Sequence, residues 1–114
     1  MIAVNKQLIS QQAVDEWYVN WNELREQIHA AHEARNGQAE PFMHQGIEHF
    51  LQFLMIASEV EGYDTQASYE LLPLNGGERL AFIRANPAQY ASYRQLDELY
   101  KETKKRCARL RLQI

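Results

Sequence analysis

Cysteine is almost missing. Only Cys107 occurs in 114 residues, which rules out an internal disulfide and any zinc site built from several cysteines. Long apolar runs are missing too. The oiliest stretch, FLQFLMIA at residues 50–57, carries a glutamine and falls far short of the roughly 20 residues that a membrane-crossing helix needs. The opening segment, MIAVNKQLISQQ, has neither the basic head nor the apolar stretch and small-residue cleavage site of a secretory leader. These absences point to a cytoplasmic chain with no membrane contact. Nor is there strand-like alternation, an internal repeat or a low-complexity segment to compete with helical structure.

What is present suits one helical domain over residues 1–114. Apolar residues make up 46% and aromatics 11% of the chain, enough for one packed core but, at this length, not for two. Val14, Trp17, Trp21, Leu24, Ile28 and Ala31 recur at alternating steps of three and four, one stripe down a helix. That spacing predicts a first helix from about Gln11 to Ala34, halted at Arg35-Asn36-Gly37. A second helix is expected to open at Pro41, whose missing N–H is no loss in a first turn. Met43, Ile47, Phe50, Leu51 and Leu54 form its inner face, with Phe42, Phe53 and Ile56 widening it. The short connection makes these two helices an antiparallel pair.

From residue 61 to 75 the periodicity fades, and Pro73 followed by Gly76-Gly77 predicts an irregular crossing. Residues 76–86 read as a short third helix capped by Asn75 or Gly76, with Leu80 and Ile83 inward. It must end before Pro87. That proline is expected to start a fourth helix, with Asn86 and Gln89 in a capping-box relation. Tyr93, Leu96, Tyr100, Thr103, Cys107, Leu110 and Ile114 carry the three-four spacing onward. The expected fold class is all-α: a compact, mostly antiparallel bundle of about four helices.

Candidate sites are few. FMHQGIEHFLQF, residues 42–53, sets His44, Glu48 and His49 among apolar neighbours. On a regular helix His44 and Glu48 stand about 40° apart and His49 about 140° from His44, so one helix cannot chelate an ion with all three. The spacing also differs from the H-E-x-x-H and H-x-x-E-H of zinc proteases. A composite metal site of His32, His44 and Glu48, assembled across the hairpin, is the form a metal-dependent enzyme would take here. Boundary histidines, half covered and hydrogen-bonded, are the simpler reading. Di-metal bundles draw E-x-x-H segments from two helices, and the chain does not supply such a pair. No cofactor is therefore expected.

Trp17, Trp21, Tyr93 and Tyr100 share core stripes and are read as core rather than as stacking platforms for bases; Tyr90 stands between the two readings. Cys107, in the stripe of the last helix, reads as a buried structural thiol. GGERL at residues 76–80 lacks the spacing of a phosphate loop, and Glu78 or Arg79 is expected to dock the short helix by a salt bridge. Charge is unevenly spread. Lys101, Lys104, Lys105, Arg106, Arg109 and Arg111 against Glu102 give residues 101–114 a charge of +5; the whole chain being −3, residues 1–100 carry −8. Lys101, Lys104, Lys105 and Arg109 fall opposite the core stripe. They are either a solvated face favoured by the helix dipole or a contact for nucleic acid or an acidic protein. No helix-turn-helix, zinc-finger or RNA-binding signature accompanies them.

Residues 75–105, NGGERLAFIRANPAQYASYRQLDELYKETKK, resemble the YpoC-like proteins of low-GC Gram-positive bacteria. The resemblance rests on Asn75, Glu78, Arg79, Leu80, Phe82, Ile83, Pro87, Tyr90, Gln95, Leu96, Glu98 and Leu99, and on GIEHFLQFL at residues 46–54. It covers the last two-thirds of the chain. One departure is Ala91-Ser92, where the family pattern has an aromatic residue or a histidine. The resemblance implies a small helical protein and carries over no catalytic residue. Genes of such proteins commonly lie beside genes for replication initiation and base-excision repair, which implies an association with DNA maintenance.

The expected function is thus non-enzymatic: protein–protein contact with an unidentified partner, linked to DNA replication or repair. Nucleic-acid binding through Lys101, Lys104, Lys105 and Arg109 is the alternative. A metal-dependent enzyme on His32, His44 and Glu48 is the third.

Overall fold

In the computed structural model, which describes residues 1–113, helix α1 spans Gln11–Ala34 as its stripe predicts. Ser10 starts it by accepting the Ala13 N–H on its Oγ at 3.2 Å, and Arg35 ends it in the left-handed region at φ 50°. Ile114, the last position of the expected stripe, lies outside the described residues. Helix α2 runs Ala39–Ala57 and so begins two residues before Pro41, not at it. The correction is small in physical terms, because the first N–H groups of any helix lack partners and the third position tolerates proline as the first does.

Helix α3 covers Gly76–Ala85 and helix α4 covers Tyr90–Leu112. The fourth helix therefore starts after Pro87, and the capping box expected at Asn86 and Gln89 does not form. Asn86 is engaged by the preceding helix: its Nδ2 donates to the Phe82 carbonyl at 3.0 Å, and the Ser92 hydroxyl donates to the Asn86 carbonyl at 2.6 Å. Gln89 reaches the Asn86 side chain, Nε2 to Oδ1 at 3.2 Å, rather than its backbone. Arg79 docks α3 onto α4 as expected, with Nη2 at 2.6 Å and Nη1 at 3.1 Å from the two Glu102 carboxylate oxygens. This fork holds the Glu102 carboxyl below its ordinary pKa.

Along α2, Trp17 meets Phe53 and Trp21 lies against Gly46; along α4, Asp15 faces Lys104, Trp21 bonds Asp97 and His32 packs beside Tyr93. Contacts that climb one helix as they descend the other make α1 antiparallel to both α2 and α4. Residues from α1, α2, α3 and α4 join one apolar cluster around the fully buried Trp21, Phe50, Ile83, Leu96 and Tyr100. Gly46 permits the closest approach within it. A Cβ there would lie 2.9 Å from Trp21 Cζ3 and 3.3 Å from Leu96 Cδ2, inside the distance that packed carbon atoms accept.

The crossing at residues 61–75 is irregular, as its composition predicts, but it is anchored. Ile2 donates to the Ser68 carbonyl at 2.8 Å and accepts from the Glu70 N–H at 2.9 Å, a single parallel bridge to Tyr69. Tyr69, Leu71 and Leu72 are buried beneath it. A short 3-10 helix at Lys6–Ile9 then carries the chain to α1, and its buried Ile9 plugs the core.

Candidate functional site

Side chains stacked on one another lead from the core to the surface. Trp21 lies flat on Tyr100, with centroids 4.0 Å apart and planes 5° from parallel. Tyr100 stacks on Trp17 at 4.9 Å, and Trp17 on Phe53 at 4.3 Å. Such pairs stabilise beyond their buried area. Phe53 is half-buried, so the stack ends at an outer groove of about 300 Å³. Leu8, Ala13, Glu16, Trp17, Asn20 and His49 line it, together with Gln52, Phe53 and Ile56. Leu8 and Ile56 are exposed, Ile56 by 65%. The hollow continues along the α1–α2 hairpin past Leu24, His44, Gln45 and Glu48, and sideways past Asp15 and Val19.

Two polar groups belong to the groove floor. The Trp17 Nε1–H is buried and has no partner among the described residues. His49 Nδ1 lies 2.9 Å from the Tyr100 oxygen. Tyr100 gives its one proton to the Gly46 carbonyl at 2.7 Å, so in the His49–Tyr100 bond the imidazole must donate. That fixes the Nδ1–H tautomer and leaves Nε2 as an acceptor. Burial lowers the His49 pKa, keeping it neutral at pH 7. Burial also pushes the Tyr100 phenol well above its usual pKa and the Cys107 thiol up to about 11. Neither is an activated nucleophile or acid. The groove offers an apolar floor, one acceptor and acidic flanks.

The proposed metal residues are not brought together. His32 packs its ring edge-on to Tyr90 at 5.3 Å and beside Tyr93 at 5.9 Å. Burial there lowers its pKa, with His29 adding to the effect. His44 instead faces Glu40 on its own helix, Nε2 to Oε1 at 3.6 Å. Glu48 lines the outer groove with Leu24, away from His32. Among the described residues no group of three or more His, Cys, Asp or Glu is placed to hold a metal ion.

The basic set divides. Lys101 Nζ lies 3.2 Å from Asp97 Oδ2 and 3.8 Å from Glu98 Oε1. Lys104 sits 4.4 Å over the Tyr18 ring and 3.9 Å from Asp15. Lys105 and Arg109 are exposed, one helical turn apart. Trp17 and Trp21 are core residues as their stripe predicts, and Tyr90 is 47% exposed.

With the geometry in place, comparison with known proteins adds one match. A model of the YpoC-like protein family fits residues 11–113. The chain belongs to the YpoC-like family. The match reaches further than the resemblance read from residues 46–105, because it takes in all of α1. It therefore contains nearly the whole groove, Leu8 excepted. No curated protein and no solved structure matches the chain. Among the described residues no helix of this YpoC-like protein is long and apolar enough to cross a membrane.

Groove residues Leu8, Phe53 and Ile56 were not marked by the sequence as functional. Ile56 carried the one usable signal. It stands two residues past the core position Leu54, about 200° round the helix, and so must point outward. Its expected place on the widened inner face is corrected accordingly.

Proposed function

We propose that this YpoC-like protein works without catalysis, by binding another protein in the α1–α2 groove. Its setting in this proposal is the cytoplasm of a low-GC Gram-positive bacterium, beside the DNA replication or repair machinery. One observation carries the reading: Leu8, Phe53 and Ile56 leave an apolar surface open over Trp17. Contiguous exposed apolar surface rimmed by polar groups is a usual mark of a protein contact. The link to DNA maintenance rests on the family resemblance alone. Capture of the tagged protein from its native cell, with nuclease present and followed by mass spectrometry, tests the proposal. A partner retained by the parent chain and lost by a Leu8→Glu/Ile56→Glu variant supports it. No partner, or one indifferent to the variant, overturns it.

Nucleic-acid binding is a second reading, favoured by the exposure of Lys105 and Arg109 beside each other on α4. It is weakened by the intramolecular pairing of Lys101 and Lys104. It predicts affinity that falls steeply with salt and vanishes in Lys105→Glu/Arg109→Glu.

A further inference from the structure

The docking groove also carries the chemistry of its occupant. Its flanks are acidic: Asp15, Glu16 and Glu48 line it, and neither lysine nor arginine is among its lining residues. Lys104 approaches Asp15 only at 3.9 Å, from the α4 side. Glu16 receives one neutral hydrogen bond, from Gln12 Nε2 at 3.3 Å, and both Glu16 and Glu48 are exposed. The walls are two antiparallel helices. From His44 to Ile56 the α2 wall rises roughly 18 Å, about three helical turns. The floor is Trp17, Phe53 and Leu24, with Leu8 and Ile56 as apolar lips at one end. Strand edges, which would favour an extended peptide, do not border it.

We infer that the groove takes a basic amphipathic helix of a partner protein, its apolar stripe laid over Trp17 and Phe53 and its lysines or arginines set against Glu16, Glu48 and Asp15. This rests on the docking reading and adds the partner's chemistry. A third helix against the hairpin's outer face would pack by the same ridges and grooves that join α1 to α2. Apolar residues at steps of three and four on that helix would cover Leu8 and Ile56. The negative excess of residues 1–100 steers a cationic helix toward the face and repels an anionic one.

The two tryptophans supply the test, since one reports from the groove floor and the other, a turn further along the same stripe, from the sealed core. Trp21 Nε1 donates to Asp97 Oδ1 at 3.0 Å in the sealed core, whereas the Trp17 Nε1–H has no partner among the described residues, and Trp17 lines the groove floor. The probe is a designed amphipathic peptide of about 16 residues with a leucine stripe and lysine flanks, added to the full chain labelled with 15N. The control has the same stripe and glutamate flanks. The lysine peptide is expected to shift the Trp17 indole signal while leaving that of Trp21 in place. Glu16→Lys/Glu48→Lys should weaken its binding about tenfold or more, as charge reversal at a close pair does. Both glutamates are exposed, so the fold is not at stake. Equal binding of the two peptides overturns the basic-helix inference, as does a Trp17 signal that neither peptide moves. Joint movement of both indoles, meaning that the core yields, also overturns it. Such failures leave the docking reading standing as long as Leu8→Glu/Ile56→Glu still releases the cellular partner; retention of that partner by the variant brings down both.

Discussion

Trp17 and Trp21 sit one turn apart on the same stripe of α1, yet they inhabit different kinds of surface. Trp21 is wholly buried, stacked on Tyr100, and its N–H is bonded to Asp97, which Lys101 and Arg25 also approach. Trp17 is 5% exposed, its N–H has no partner among the described residues, and Leu8 and Ile56 beside it face solvent. Both tryptophans touch α2 and α4, but around Trp21 the stripe is sealed, whereas around Trp17 it ends at an open groove. Burial alone does not separate a tryptophan sealed in the core from one that floors an open groove. The state of its polar atom and the exposure of its neighbours do.

The sharpest way to test that contrast is to make the same change at both positions. Trp21→Phe and Trp17→Phe remove the same part of the ring, and each leaves a void. Only Trp21→Phe strips a buried hydrogen bond from a carboxylate. A bond to a charged group contributes about 1.5–3 kcal/mol, so Trp21→Phe should be the less stable variant by about that much in urea unfolding. Equal losses would mean that the Trp21–Asp97 bond adds nothing and that the two ends of the stripe do not differ.

Gly46 gives the next largest effect. Alanine is the better helix former by about 1 kcal/mol, and an exposed glycine in α2 would be improved by the change. Here the new Cβ meets Trp21 and Leu96, both fully buried. Overpacking of this kind costs about 1–3 kcal/mol, so Gly46→Ala should lower stability in spite of its propensity. A variant more stable than the parent would show that α2 has room to move away from α1 and α4.

Tyr100→Phe comes third. It removes the donor to the Gly46 carbonyl and the acceptor for His49 Nδ1–H while keeping the stacked ring. A loss of about 1 kcal/mol is expected from such neutral bonds. Because His49 borders the groove, the same change frees its ring to turn. Line broadening at His49, with the Trp21 indole signal sharp, would show that the phenol ties core to groove.

How much of this could be read in advance follows from which forces are local. The stripe of α1 and its stop at Arg35-Asn36-Gly37 are written in consecutive residues, so Gln11–Ala34 was recovered from spacing alone. The start of α4 was misplaced because Asn86 has two possible tasks, and its side chain closes α3 instead of opening α4. Local pattern cannot rank those tasks when both helices are in reach. The bridge between Ile2 and Tyr69 joins segments far apart in the chain and has no periodic signature. The groove depends on what fails to cover Ile56 and Phe53, a property of the assembled bundle. The placement of His32 was hidden for a related reason: helical angles set His44 near Glu48 but are silent on His32, which packs against Tyr90 and Tyr93 on the α4 side.

The smallest expected effect belongs to His49, and it separates groove from core by acid. Burial holds its pKa below the ordinary value of 6.5. As pH falls, the unfolded chain takes up the proton first, so the unfolded state binds more protons and stability declines with pH. The contribution is complete above the unfolded pKa and is lost as pH drops through the lower folded value. Protonation keeps the Nδ1–H bond to Tyr100, since that nitrogen already carries a proton; what is lost is the favourable burial of a neutral ring. His49→Gln should therefore flatten the fall in unfolding free energy between about pH 8 and pH 5. A residual slope is expected from His32, whose pKa burial and His29 also depress. If His49→Gln and the parent lose stability in parallel, the ring is better hydrated than its packing against Trp17 implies, and the groove floor is open to water at His49.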